Sequence, residues 1–175
     1  MHPALVVGVF VNAMPLPHNP DNAFEKHAVS VLRGEWGPQP QWKIDLLFQA
    51  LAKGAEPQSC RISFYHPREA GGAWRRWTGT RTGTMVRPGV ASCTARNWSR
   101  WGGAWLWIEE YGVCHVEDCF PESRDPLWFD LASPSTPDTP NYTTWLNSHE
   151  RARFARRFGK QGGKFVVLRG PGGES

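Results

Sequence analysis

Apolar and polar positions alternate most regularly between Gly89 and Asp130, where the chain reads GVASCTARNWSRWGGAWLWIEEYGVCHVEDCFPESRDPLWFD. The run breaks at glycines and sets isolated carboxylates at the ends of apolar stretches, a pattern of short strands joined by turns. Leu106-Trp107-Ile108 predicts one strand and Tyr111-Gly112 a turn. Beyond the turn, Val113, His115 and Glu117 alternate with Cys114, Val116 and Asp118, so Asp118 is expected on the face of Cys114 and Val116. Leu127-Trp128-Phe129 then leads directly into Asp130. A carboxylate that ends so apolar a strand is costly to desolvate unless it opens onto a cleft or is hydrogen-bonded there. Asp130 is therefore a candidate acid.

Outside this run the periodicity changes. Ala4 to Val11 is a short apolar stretch that predicts a buried strand; it lacks a basic leader and is too short to span a bilayer. Asn22 with Glu25 forms a capping-box pattern and opens a helix to about Leu32, with Phe24, Ala28 and Val31 on its apolar side. A second helix is predicted over 41–53, with Ile44, Leu47, Phe48 and Leu51 at helical spacing and Gly54 as its stop. Residues 1–57 thus predict a strand and helices packed on the outside of a β-rich domain at 58–170, followed by a disordered tail, 171–175. Residues 67–88 predict a loop in which Trp74-Arg75-Arg76-Trp77 interleaves charge with aromatics. Residues 131–146, holding Pro134, Pro137 and Pro140, predict an irregular, exposed segment beside Asp130. Asn147 with Glu150 predicts the cap of a last helix, with Ala152, Ala155 and Phe158 inward and four arginines outward. Lys164 to Leu168 predicts the final strand.

Composition narrows the partners. Ten tryptophans among 175 residues fit a packed β core, and equally a groove in which sugar rings stack on indoles. A formal charge of +4 and a pI near 9.1 favour anionic partners, an envelope polymer or nucleic acid. The interleaved loop suits either a glycan or single-stranded nucleic acid. Cys60, Cys93, Cys114 and Cys119 show no CxxC spacing; buried thiols, a disulfide, and a zinc site with His115 are the readings, in that order.

The central run also resembles a family. Gly89-Val90-Ala91, Gly103-x-x-Leu106-x-Ile108, Tyr111-Gly112-Val113-x-x-Val116-Glu117-Asp118 and the apolar run ending in Asp130 resemble the 3D domain of bacterial and phage cell-wall enzymes. That domain is similar to the catalytic core of membrane-bound lytic transglycosylase A. Phe64-Tyr65-His66-Pro67 and Thr78-Gly79-Thr80 match upstream. The 147–159 segment and Lys164 to Leu168 match downstream, so about residues 61–168 are covered, with an insertion near 133–146. The resemblance implies a mainly β (α+β) fold, a six-stranded double-psi β-barrel with a late helix and the N-terminal helical extension.

It further implies cleavage of the β-1,4 bond between N-acetylmuramic acid and N-acetylglucosamine in peptidoglycan glycan strands, with a 1,6-anhydro product and no cofactor or metal. Asp118 and Asp130 match the family's second and third aspartates, the third being the essential acid, with Asp118 on a neighbouring strand end to raise its pKa. The resemblance places Tyr65, Trp77, Thr78, Thr80 and Trp128 along the glycan groove. The position of the first aspartate is Arg96-Asn97 here, where an arginine would lower neighbouring carboxyl pKa values, and Asp118-Cys119-Phe120 replaces Asp-Thr-Gly. The expectation is a peptidoglycan-cleaving enzyme without a signal peptide, made in the cytoplasm and reaching the wall in phage-mediated release. The alternative is a catalytically inactive barrel that serves as a structural or binding module for a phage particle, a protein or a nucleic acid.

Overall fold

The computed structural model describes residues 41–70, 79–109, 111–121 and 127–172. The strand and helix expected within 1–40, the Trp74–Trp77 stretch, Thr78 and the last three residues lie outside them. A helix, α1, spans Gln41–Ala52. Strands follow at Gln58–Tyr65 (β1), Val90–Thr94 (β2), Trp105–Ile108 (β3), Gly112–Phe120 (β4) and Trp128–Ala132 (β5). The one-turn helix α2, Trp98–Trp101, sits between β2 and β3. Two helices, α3 at Tyr142–Leu146 and α4 at His149–Phe158, precede the last strand, β6, at Lys160–Arg169.

The six strands close into a barrel in the order β1-β5-β2-β4-β3-β6. β1 with β5 and β2 with β4 are parallel, and the other four pairings are antiparallel. This is a mixed, mainly β barrel with a few helices, and closure leaves no free sheet edge.

Period-two alternation sorts the side chains. Ile62 and Phe64 of β1, Ala91 and Cys93 of β2, Leu106 and Ile108 of β3, Cys114 and Val116 of β4, Phe129 and Leu131 of β5, and Phe165 of β6 fill one interior cluster. The β3 run is apolar on both faces because its outer face is covered too. Trp107, Val113 and Val166 pack outward against Leu47 and Leu51 of α1. Burying each such leucine contributes about 1.5–3 kcal/mol, which holds α1 on the barrel wall. The helix stops where Gly54 takes φ +76°, a conformation that glycine adopts without a Cβ clash. At one end of the barrel Ala155, Phe154 and Phe158 of α4 pack against the core.

Two expectations for the C-terminal third are corrected. Residues 131–146 are only in part the exposed irregular segment expected: 133–141 are irregular and 137, 138 and 140–144 exposed, but Leu131, Ala132 and Ser133 are fully buried, and α3 carries Trp145 inward. The helix forms because Asn141 and Thr144 cap each other reciprocally and because the indole of Trp145 donates to the Ser133 carbonyl at 2.8 Å. The cap of α4 is Ser148, whose hydroxyl accepts from the Arg151 amide at 3.2 Å, not Asn147, which closes α3 instead. Of the four arginines of α4, three are exposed, but the Arg151 side chain is only 11% exposed and lies over the Phe154 ring. Beyond α4, β6 begins four residues earlier than the apolar run suggests, because Lys160 to Gly163 pair with β1.

Candidate functional site

Interior positions of β1, β2 and β5 are apolar, so the residues between them face outward. Ser63 pairs with Asp130, and Asp130 pairs in turn with Ser92. Ser92 pairs on its other side with Asp118. Four strands thus bring Ser63, Asp130, Ser92 and Asp118 into one row across the barrel wall.

A register shift between Ala91 and Ser92 lets β4 join this row. Ala91 pairs with Val116, but Ser92 pairs with Asp118, so Glu117 is the extra residue of a bulge. This overturns the expectation that Asp118 shares a face with Cys114 and Val116. Strict alternation holds only as far as Val116; the bulge moves Asp118 to the cleft with Ser92. Asp130 is likewise in the middle of β5, not at its end. The two aspartates are not on neighbouring strands either. β2 runs between theirs, which sets the backbones roughly 10 Å apart.

Asp118 and Asp130 open onto a cleft of about 360 Å³ together with Tyr65, Ser92 and His66. Asp130 is half-buried, and burial raises its carboxyl to about 6, against the opposing pull of a Ser63 hydrogen bond and of Lys160. The Ser63 hydroxyl lies 2.6 Å from Asp130 Oδ1. Burial, and not a second carboxylate, is what raises this group, so the role expected of Asp118 is corrected. The cation opposing the rise is Lys160 of β6, while Arg96 is exposed on the turn after β2 and outside the cleft lining.

Asp118 Oδ1 accepts from the Arg81 amide at 3.0 Å and the Cys119 amide at 2.8 Å. Those two bonds tie the 79–88 loop to β4 beside the cleft. Tyr65 brings a buried hydroxyl with no hydrogen-bond partner. Burial pushes the phenol far above its ordinary value, against the opposing pull of the neighbouring Ser92 hydroxyl.

His66 is a wall and not a base. Its Nδ1 accepts from the Arg68 amide at 3.1 Å, so Nε2 carries the hydrogen and donates to the Trp145 carbonyl at 3.0 Å. Burial lowers its pKa and keeps the ring neutral.

No protein-family model matches the chain, and no curated protein sequence matches it.

What the chain offers is its own geometry. Of the expected groove residues, Tyr65 reaches the cleft. Trp77 and Thr78 lie outside the described residues, and Gly79 beside them lines the cleft. Thr80 turns into its own loop, bonding Thr82 and Thr84 at 3.0 and 2.8 Å. Trp128 has one face under Lys160 Nζ, 3.4 Å from the ring centre, and its indole N–H engaged by Ser63 at 2.7 Å. It supports the site from beneath.

Among the described residues there is no group of three or more metal-ligating side chains. The four thiols are free, and three of them are buried. His115, weighed as a zinc ligand, turns its ring nitrogens to Glu117 Oε1 at 3.0 Å and the Gly103 carbonyl at 3.1 Å. Among the described residues no helix is long and apolar enough to cross a membrane.

Sequence reasoning missed Ser63, Ser92 and Lys160. A signal for the first was present: Ser59, Arg61, Ser63 and Tyr65 form the polar half of β1, the half that must share a face with an outward Asp130. Ser92 and Lys160 required the pairing order, which local pattern does not carry.

Proposed function

We propose that the protein is a lytic transglycosylase-type enzyme that cleaves the β-1,4 bond of peptidoglycan glycan strands, with Asp130 as its single acid and base. The observation that carries this reading is a half-buried carboxyl pushed up to about 6 at the edge of a cleft. A proton donor needs a pKa near its working pH, and burial supplies it against the opposing pull of Lys160. Asp130 protonates the glycosidic oxygen as the C1–O4 bond breaks. The C6 hydroxyl of the same muramic acid residue closes on C1 and returns its proton to the Asp130 carboxylate. The product is a 1,6-anhydro sugar, no water is consumed, and one carboxyl suffices where hydrolases use two. Tyr65 and Asp118 border the same cleft. Two parallel pairs in an otherwise antiparallel barrel are in keeping with the double-psi arrangement that the sequence resemblance implies.

A second reading, an inactive barrel that binds its partner, is favoured by one observation. Arg96 occupies the position of the family's first aspartate and stands exposed, away from the cleft. Purified sacculi distinguish the two. Loss of turbidity with anhydro-muropeptides by mass spectrometry is expected of the wild type, and Asp130→Asn should lower the rate at least about 100-fold. Sedimentation with sacculi but no anhydro product would establish the binding module instead.

A further inference from the structure

The hydrogen-bond chain beneath Asp130 has a direction. An indole N–H can only donate, and a serine hydroxyl has one hydrogen to give. Trp128 Nε1 lies 2.7 Å from Ser63 Oγ, so that oxygen accepts there. Ser63 Oγ also lies 2.6 Å from Asp130 Oδ1. Ser63 is buried, and Asp130 Oδ1 is the acceptor within its reach, so its hydrogen goes to that oxygen or is lost to a buried, unpaired position.

We infer that Trp128 and Ser63 fix which carboxyl oxygen of Asp130 carries the proton: the Trp128 N–H holds the Ser63 oxygen, Ser63 donates to Oδ1, and the proton resides on Oδ2, the oxygen left for the cleft. Trp128 and Ser63 are positioning residues, since neither needs to touch substrate. The indole is itself held by Lys160 on one face, 3.4 Å from the ring centre, and by the Phe120 ring, 4.6 Å away in a T-shaped contact. With Oδ1 occupied, a proton leaves from and returns to one atom. For the reaction proposed above, which gives its catalytic meaning to this assignment, the leaving oxygen and the C6 hydroxyl must approach the same Oδ2 in turn.

Among the described residues, Asp118 of β4 shares the cleft with Asp130. Ser63 and Tyr65 come from β1, Ser92 from β2 and Lys160 from β6. The hydrogen bond from Ser63 and the Lys160 charge both favour the carboxylate.

Carbon-13 carboxyl NMR of aspartate-labelled protein tests the assignment, with the Asp130 resonance identified by its loss in Asp130→Asn. Ser63→Ala should raise the titration midpoint above the wild-type value of about 6 by roughly one pH unit, because a donor to the charged form is gone. Trp128→Phe should raise it by less, since Ser63 is then free to turn away, and Ser63→Thr should restore the wild-type midpoint. In the wild type the Trp128 indole N–H should shift with the same midpoint as the carboxyl, which tests the chain without any variant. A midpoint that falls or stays fixed in Ser63→Ala would mean that Ser63 does not donate to the charged form. A Trp128 N–H signal blind to the titration would remove the indole from the chain. None of these readings needs turnover. Titrations as expected beside inert behaviour on sacculi would sink the enzyme and leave the proton assignment standing.

Discussion

Asp130→Asn should make the protein more stable at neutral and alkaline pH while removing its acid. A carboxyl whose folded pKa is raised stabilises the fold most below its unfolded value, and that stability is lost as pH rises through the folded value. The gap between 3.8 and about 6 for Asp130, converted at ~1.4 kcal/mol per tenfold change in proton affinity, is about 3 kcal/mol. The residue is half-buried, so solvent screening makes that figure an upper bound. Asparagine keeps the carbonyl oxygen that accepts from Ser63 and never ionises. The variant should therefore match wild type within about 0.5 kcal/mol below pH 4 and exceed it by up to about 3 kcal/mol at pH 8. In thermal melts of a chain this size the latter is roughly 6–12 °C. Parallel urea titrations at pH 4, 6 and 8 give the same quantity from the midpoints. A variant less stable than wild type at pH 8, or a gain as large at pH 4 as at pH 8, would refute the reasoning. A site that costs stability to keep is the usual mark of function over folding.

Glu117→Gln should behave in the opposite sense. Burial raises the Glu117 carboxyl, but hydrogen bonds from His115, Arg87 and Thr84 outweigh it and hold the group at about 2, below its ordinary 4.5. Its stability is present above pH 4.5 and lost as pH falls through 2, so the variant should lose about 2–3 kcal/mol at pH 7, discounted because Arg87 is half exposed, and less than half of that at pH 3. Equal urea midpoints at pH 7 would exclude it. Cys114→Ser buries an unpartnered hydroxyl in the barrel and should cost about 1–3 kcal/mol, whereas half-buried Cys119→Ser should stay within about 0.5 kcal/mol. Stoichiometric zinc in the purified protein would overturn the reading of both as plain thiols.

The strands of the central run were legible because they obey period two and its glycines and Tyr111 mark the turns, while their closure into a barrel was implied by the resemblance. Cys114 and Val116, which alternation puts on one face, lie with Leu106 and Ile108 in the interior cluster. The second helix was legible from Leu47, Leu51 and Gly54, and its observed bounds differ from the expected ones by a single residue. Alternation failed at one place, and that place set the site. Glu117 is an additional residue in β4, and nothing local announces it, since an Asp or a Glu is equally at home on a polar face. The helix α3 was hidden by prolines, although Asn141 and Thr144 carried a cap and Trp145 an anchor. Asp130 was found from the right observation, an apolar approach to a carboxylate, but burial alone proved sufficient to raise it, and the expected partner sits two strands away.

The bulge also explains how two adjacent carboxylates take different parts. Glu117 and Asp118 are consecutive, yet Glu117 is 3% exposed and collects a bidentate Arg87, at 2.9 and 2.6 Å, with His115 and Thr84 besides. The number of donors decides what a buried carboxyl can do. With four side-chain hydrogen bonds Glu117 is held as an anion and cannot release a proton near neutral pH. What it does is pin the 79–87 loop, through Thr84 and Arg87 and through its carbonyl, which accepts from the Thr82 amide at 3.1 Å. That loop delivers the Arg81 amide to Asp118 and Gly79 to the cleft. Asp130, given one hydroxyl and no guanidinium, keeps a proton to give. On one face of one sheet, then, the anchored carboxylate builds the cleft wall and the sparsely bonded one is left to do its chemistry.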